Sequence, residues 1–139
     1  MGSTKIKHFV IKNRIEELTS LAEEIEKLAN EWDLSQKLAM NISLVVEEAL
    51  SNIIFYAFTD GNNHEIHISI SVTNNRLNIE FTDDGIPFNP LSHQKPDVEL
   101  PLEERSVGGL GIFLMSQIMD EMNYTRKKEQ NILTLTKSI

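Results

Sequence analysis

The 139-residue chain contains no cysteine, which removes disulfide scaffolds, thiolate zinc sites and thiol nucleophiles together and makes an intracellular, cytoplasmic compartment the expectation. Basic residues are the minority, 13 Lys and Arg against 21 Asp and Glu, for a formal charge of −8. A polyanion surface normally recruits a basic patch that repays counterion release, so nucleic acid and anionic membrane are poor partners for this composition. Any phosphate bound here must be held locally. Long apolar runs are also missing: the longest, Ile53 to Phe58, falls far short of the ~20 residues that span a bilayer. Lys5, Lys7 and His8 near the start do not read as a signal peptide. No repeat, low-complexity tract or linker interrupts the chain. What is present is ordinary globular material, 40% apolar and 24% charged, at a length that suits one domain over residues 1–139 with one core.

Hydrophobic spacing divides that domain into elements. Lys5 to Ile11 reads as a first strand, and Asn13 is the expected N-cap of a long helix from Arg14 to Trp32, with Ile15, Leu18, Leu21, Ile25, Leu28 and Trp32 at helical spacing. Asp33 or Ser35 caps a second helix carrying Leu38, Ile42, Val46, Ala49, Ile53 and Ala57. The period then changes to two, with Ile66, Ile68, Ile70 and Val72 on one face of a strand, a turn at Asn74-Asn75, and Leu77, Ile79 and Phe81 on the returning strand. After Asp83 the pattern breaks for over twenty residues, and all 4 prolines fall in that stretch; long loops in compact domains are usually functional. A third helix is expected over Ile112 to Met122, then strands over Asn123 to Lys128 and Ile132 to Lys137. The sum is an α+β fold, a mostly antiparallel sheet with helices on one face.

Three stretches carry residues suited to chemistry. On the second helix, at about 100° per residue, Glu48 and Asn52 lie about 40° apart whereas Glu47 and Asn52 lie about 140° apart. Glu48 and Asn52 therefore share the border of the apolar stripe, where a carboxylate and an amide suit a general base and a magnesium-binding oxygen; a solvated helix flank is the alternative. The second stretch is Asp83-Asp84-Gly85 at a strand end. There an Asp can accept from an exocyclic amine while Gly85 admits a flat ring against the backbone; an ordinary β-turn with solvated acids is the alternative. The third is Gly108-Gly109-Leu110-Gly111 before the third helix. Backbone N–H groups and the helix dipole make such a segment a phosphate cradle, and three glycines in four residues serve equally as a hinge. Neither a P-loop nor a dinucleotide fingerprint fits it, because the Gly-Lys-Ser/Thr ending and the preceding strand are both missing.

The order and spacing of the three stretches resemble the anti-sigma-factor serine/threonine kinases of the histidine-kinase-like ATPase superfamily. Glu48-Ala49-Leu50-Ser51-Asn52 looks like their N box, Asp83-Asp84-Gly85-Ile86-Pro87-Phe88-Asn89-Pro90 like the first glycine box, and Gly108-Gly109-Leu110-Gly111-Ile112-Phe113-Leu114 like the second. The match continues through Met119-Asp120-Glu121 and covers in effect the whole chain. The resemblance implies a Bergerat-type two-layer sandwich with a mostly antiparallel mixed sheet, about three helices on one face and an ATP lid near residues 84–108. It further implies ATP and Mg²⁺ as cofactors, with Asn52 as the metal residue and Glu48 as catalytic base. Asp83 and Gly85 would hold the adenine, Gly108, Gly109, Leu110 and Gly111 the phosphates, and Arg105 the terminal phosphate. No phosphoacceptor-His domain fits, so the stand-alone branch is expected rather than a sensor kinase. Asn89 stands where many relatives carry Asp, and the four His are expected in surface roles.

The function implied is phosphorylation of a STAS-type anti-anti-sigma protein, regulating a sigma factor by partner switching. Relatives commonly pair, which leaves a homodimer open. An ATP-gated binding module without kinase activity is the alternative, and an α+β scaffold with solvated acids ranks last.

Overall fold

The computed structural model describes residues 4–92 and 109–139. Arg105, Gly108 and the larger part of the anticipated lid, residues 93–108, lie outside the described residues. The element order is β1 (Lys5–Lys12), α1 (Glu17–Glu31), α2 (Gln36–Tyr56), β2 (Glu65–Thr73), β3 (Arg76–Asp83), a 3-10 turn (Pro90–Ser92), α3 (Gly109–Ile118), β4 (Glu121–Lys127) and β5 (Gln130–Ser138). The five strands form one sheet in the order β1-β2-β3-β5-β4. Every pairing among the described residues is antiparallel, so the fold is α+β as expected, with no parallel pair among the described strands where a mixed sheet was anticipated.

Strand alternation puts one face of the sheet into the core. Ile68 lies opposite Phe81, which lies opposite Leu133; Ile70, Ile79 and Leu135 form the next row. All six side chains are buried. On the other face Glu65, His67, Asn78 and Glu80 are exposed, which is the half-wet pattern of an antiparallel sheet covered on one side. Two-residue turns close both hairpins. Asn74 and Asn75 have φ of 52° and 61°, Lys128 and Glu129 of 51° and 64°, the left-handed pair whose twist matches flanking strands.

The helices supply the second layer. Leu21, Ile25, Leu28 and Ala29 of α1 are buried, and α2 buries Ile42, Val46, Ala49, Leu50 and Ile53. Among the described residues α2 is the one helix long and apolar enough to cross a membrane, with mean hydropathy 1.4, yet this apolar stripe packs into the core. Ser35 caps α2, accepting from Leu38 N at 3.1 Å, whereas Asp33 has φ 55° at the exit of α1.

Several boundaries differ from expectation, the start of α1 and the end of α3 most instructively. Asn13 does not cap α1, which begins at Glu17 without a side-chain cap. Instead Asn13 Oδ1 accepts from His64 N at 2.9 Å and its Nδ2 donates to Asn62 O at 3.2 Å, fastening the end of β1 to the loop before β2. Helix α3 stops at Ile118 rather than Met122, because Asp120 N donates to Thr136 O at 2.9 Å and Met122 pairs with Leu135 as part of β4.

Candidate functional site

Helix α2 is the wall on which the site is built. Asn52 is 2% exposed; the helical wheel gives its direction, and the packing of neighbouring elements buries it. Its Nδ2 donates to Glu48 O one turn earlier at 2.8 Å, while its Oδ1 has no hydrogen-bond partner among the described residues. A buried acceptor left unpaired costs about 1–3 kcal/mol, so this oxygen is poised for a ligand. No group of three or more His, Asp or Glu side chains that could hold a metal occurs among the described residues. An ion bound at Asn52 must therefore draw most of its shell from water and ligand. That is how Mg²⁺ behaves, taking one or two protein oxygens together with phosphate, so the residues present fit Mg-ATP.

Glu48 is half-buried beside Asn52. Burial raises its carboxyl above the ordinary Glu value, and the neighbouring Glu47 carboxylate adds to the rise. Its side chain reaches α3: a Cβ built on Gly111 would collide with the Glu48 carboxylate. The glycine at that position lets the N-terminal turn of α3 close onto α2. Gly109, Leu110 and Gly111 thus form the first turn of the helix rather than a loop ahead of it.

The strand-end stretch meets the other end of α2. Asp83 follows Phe81 by two residues on β3, so it shares the core-facing side and is 2% exposed. Its Oδ1 accepts from Gly85 N and from Asn131 Nδ2, each at 2.9 Å. Burial raises the Asp83 carboxyl, and these two hydrogen bonds oppose the rise in part. A Cβ at Gly85 would collide with the carbonyl of Ala57, the C-cap of α2, and the next residue, Ile86, donates its N to that same carbonyl at 2.8 Å. Close backbone approach is the reason for glycine at this position.

Asn131 was not singled out in the sequence, yet it organises this corner. It donates to Ile86 O at 2.8 Å and accepts from Tyr124 Oη at 2.5 Å and Phe88 N at 3.2 Å. A signal for it exists in the sequence: Asn131, Leu133 and Leu135 alternate on one strand, and an amide in line with buried leucines needs partners. Arg126 Nη1 donates to Gly85 O at 2.7 Å. His64, expected in a surface role, stacks on Phe58 with centroids 4.8 Å apart. Its ring nitrogens lie 2.8 Å from Asp60 Oδ2 and 3.0 Å from Asp84 Oδ1, and the Asp60 hydrogen bond leads in raising its pKa.

Glu48, Asn52, Asp83, Gly85 and Gly111 are therefore joined through α2, although more than sixty positions separate the first from the last. Arg105 and Gly108 lie outside the described residues.

Comparison with known proteins agrees with this fold. The histidine kinase AdeS of Acinetobacter baumannii superposes with a TM-score of 0.51 at 12% identity, covering 96% of this chain and 68% of that one, a likeness of fold. The serine/threonine-protein kinase BtrW of Bordetella bronchiseptica is 32% identical over 78% of this chain and 75% of its own length. The serine-protein kinase RsbW of Oceanobacillus iheyensis is 28% identical over 68% of this chain, a match spanning 63% of that relative. Residues 11–137 match the family described as the histidine kinase-like ATPase domain, and the chain belongs to that family, in the group that contains BtrW and RsbW.

Proposed function

We propose that the chain is an anti-sigma-factor-type serine/threonine protein kinase of the cytoplasm. It binds Mg-ATP, phosphorylates a STAS-type anti-anti-sigma protein and so regulates a sigma factor by partner switching. The observation that carries the reading is the buried, unpaired Oδ1 of Asn52, one helical turn from a carboxylate that touches the start of α3.

In this reading Asp83 accepts the adenine amino group through Oδ2, its Oδ1 being held by Asn131 and Gly85. Gly85 admits the ring against the backbone. The N–H groups of Gly109, Leu110 and Gly111 face the phosphates, where the α3 dipole favours negative charge; Gly108 and Arg105 extend that contact. Asn52 supplies an oxygen to Mg²⁺, which when bound neutralises charge developing on the phosphates. Glu48 takes the proton of the attacking Ser or Thr hydroxyl as its oxygen bonds to the terminal phosphorus and the bond to ADP breaks. A raised pKa suits that role, since a general base works best when its pKa approaches the operating pH.

The test is incubation of the purified chain with Mg²⁺, ATP labelled on the terminal phosphate, and a candidate STAS-type protein from the same organism. Label on a Ser or Thr of the partner, lost with EDTA and in Glu48→Gln, supports the proposal. Mg-ATP-dependent association without label replaces it by a nucleotide-gated binding module, and absence of any ATP-induced thermal shift removes the nucleotide site.

A further inference from the structure

On the side of the helical layer away from the sheet, α1 and α2 leave a groove of about 900 Å³ between them. Its walls carry Leu18 from α1 and Met40 and Leu44 from α2, with Glu23, Glu26 and Glu47 among them. Met40 is 68% exposed and Leu44 36%. An exposed apolar groove flanked by charge is the usual form of a protein-binding surface, and methionine is an adaptable contact on such surfaces. The charge is of one sign: among the described residues no Lys or Arg lines the groove, and Lys27, the one base within α1, pairs with Glu24 at 3.6 Å.

The dimensions favour a helix. The lining runs from Leu18 to Asn30 on α1 and from Gln36 to Glu47 on α2, about 16–18 Å at 1.5 Å per residue, or roughly three helical turns. Met40, Leu44 and Glu47 stand at i, i+4 and i+7, so they form a ridge along α2 against which a third helix can lay its own i, i+3, i+4, i+7 stripe.

We propose that the α1–α2 groove docks a basic amphipathic helix of a partner protein, apolar face inward and Lys or Arg against Glu23, Glu26 and Glu47. The inference stands on the helical layer alone and does not depend on nucleotide chemistry.

The probe is a fluorescein-labelled synthetic helix of about fourteen Leu and Lys residues with Leu at i, i+3, i+4 and i+7, compared with its Leu/Glu counterpart by fluorescence anisotropy on the full chain. The Leu/Lys peptide is expected to bind at least about tenfold tighter than the Leu/Glu peptide, and added salt to weaken it severalfold. Met40→Glu should cost about tenfold or more, since it places a charge on the apolar ridge that the partner helix packs against. Glu23→Lys with Glu26→Lys should invert the preference between the two peptides. Glu65→Lys with Glu80→Lys makes the same charge change on the open sheet face and should alter affinity less than about threefold. Equal loss from the two double variants would reduce the effect to net charge and overturn the proposal. So would undiminished binding to Met40→Glu, or no binding of the Leu/Lys peptide. All these substitutions are at exposed positions, and circular dichroism verifies that each variant folds.

Discussion

Replacing Asn131 by alanine removes one side chain and strands four groups. Asn131 is 4% exposed; it donates to Asp83 Oδ1 and Ile86 O and accepts from Tyr124 Oη and Phe88 N. A neutral hydrogen bond contributes about 1 kcal/mol net and one to a charged group about 1.5–3 kcal/mol, and the four are coupled through one amide, so they do not add. Water entering the vacated space recovers part of the loss, leaving a destabilisation of about 3 kcal/mol. For a domain of this size that lowers Tm by roughly 10 °C. The second consequence concerns Asp83. Its carboxyl is raised by burial and held down in part by Asn131, so the variant raises it further. Because the folded carboxyl holds its proton more tightly than the unfolded one, Asp83 opposes stability progressively as pH climbs from 3.8 through its raised value. In the proposed site the ionised carboxyl is the stronger acceptor for the adenine amino group, so the acid limb of ATP affinity should move to higher pH in Asn131→Ala. Thermal denaturation and calorimetric titration with Mg-ATP over a pH series measure both effects. A Tm within about 2 °C of the parent together with an unmoved acid limb would refute the network reasoning.

The remaining outcomes follow from neighbouring groups. Glu48→Gln should keep Mg-ATP affinity and lose about 100-fold or more in phosphoryl transfer; in the parent the acid limb of kcat should lie above the ordinary Glu value of 4.5, and Glu47→Gln should lower it, since Glu47 contributes to the rise. Gly85→Ala drives a Cβ into the rigid Ala57 carbonyl and should destabilise by about 1–3 kcal/mol. In Gly111→Ala the nearest atoms belong to the flexible Glu48 side chain, so melting should register little change while kinase assays register displacement of the proposed base. His64 has its pKa raised by Asp60 and Asp84, so its stabilisation is complete below 6.5 and fades as pH rises through the raised value. In His64→Asn the slope of Tm against pH in that window should flatten.

The sheet and helices were legible where one periodicity ruled. Ile66, Ile68 and Ile70 announce β2, and Asn74-Asn75 announces its turn because Asn tolerates the left-handed region. The second hairpin was harder to read, since Lys128 and Glu129 adopt the same conformation without a residue preference to betray it. The α3 boundary was misplaced because Met119 and Met122 satisfy a helical spacing of three, whereas pairing with β5 claims Met122 for a strand. In the site, wheel geometry placed Glu48 and Asn52 on one face, but the degree of burial comes from distant packing that no local window contains. Asn131 lies one residue outside the expected fifth strand, so its alternation with Leu133 and Leu135 was cut short. Asn13 has the chemistry of an N-cap; a bond to a loop fifty-one positions away took its side chain instead.

Charge decides how such a site holds a polyanion. The protein has a net charge of −8, and the described walls add Glu48, Asp83 and Asp84, while Arg126, the guanidinium nearby among the described residues, is engaged with Gly85 O. Backbone N–H groups, even with the Arg105 contact proposed above, face strong repulsion here, so affinity for ATP should depend steeply on Mg²⁺, and on Asn52 with it. Asn52→Leu separates this role from folding. The leucine fills a similar volume, removes an acceptor that has no partner, and gives up only a bond to Glu48 O within the same helix. Exchanging an unpaired buried oxygen for a hydrocarbon of like shape is near neutral or stabilising, so the Tm of the unliganded variant should equal or exceed that of the parent. The additional rise produced by Mg-ATP follows the ratio of ligand to Kd; in the parent EDTA should collapse it, and in the variant it should be small with or without EDTA. If Asn52→Leu melts well below the parent without ligand, the amide is structural, and if the Mg²⁺-dependent increment survives the substitution, the metal is held elsewhere.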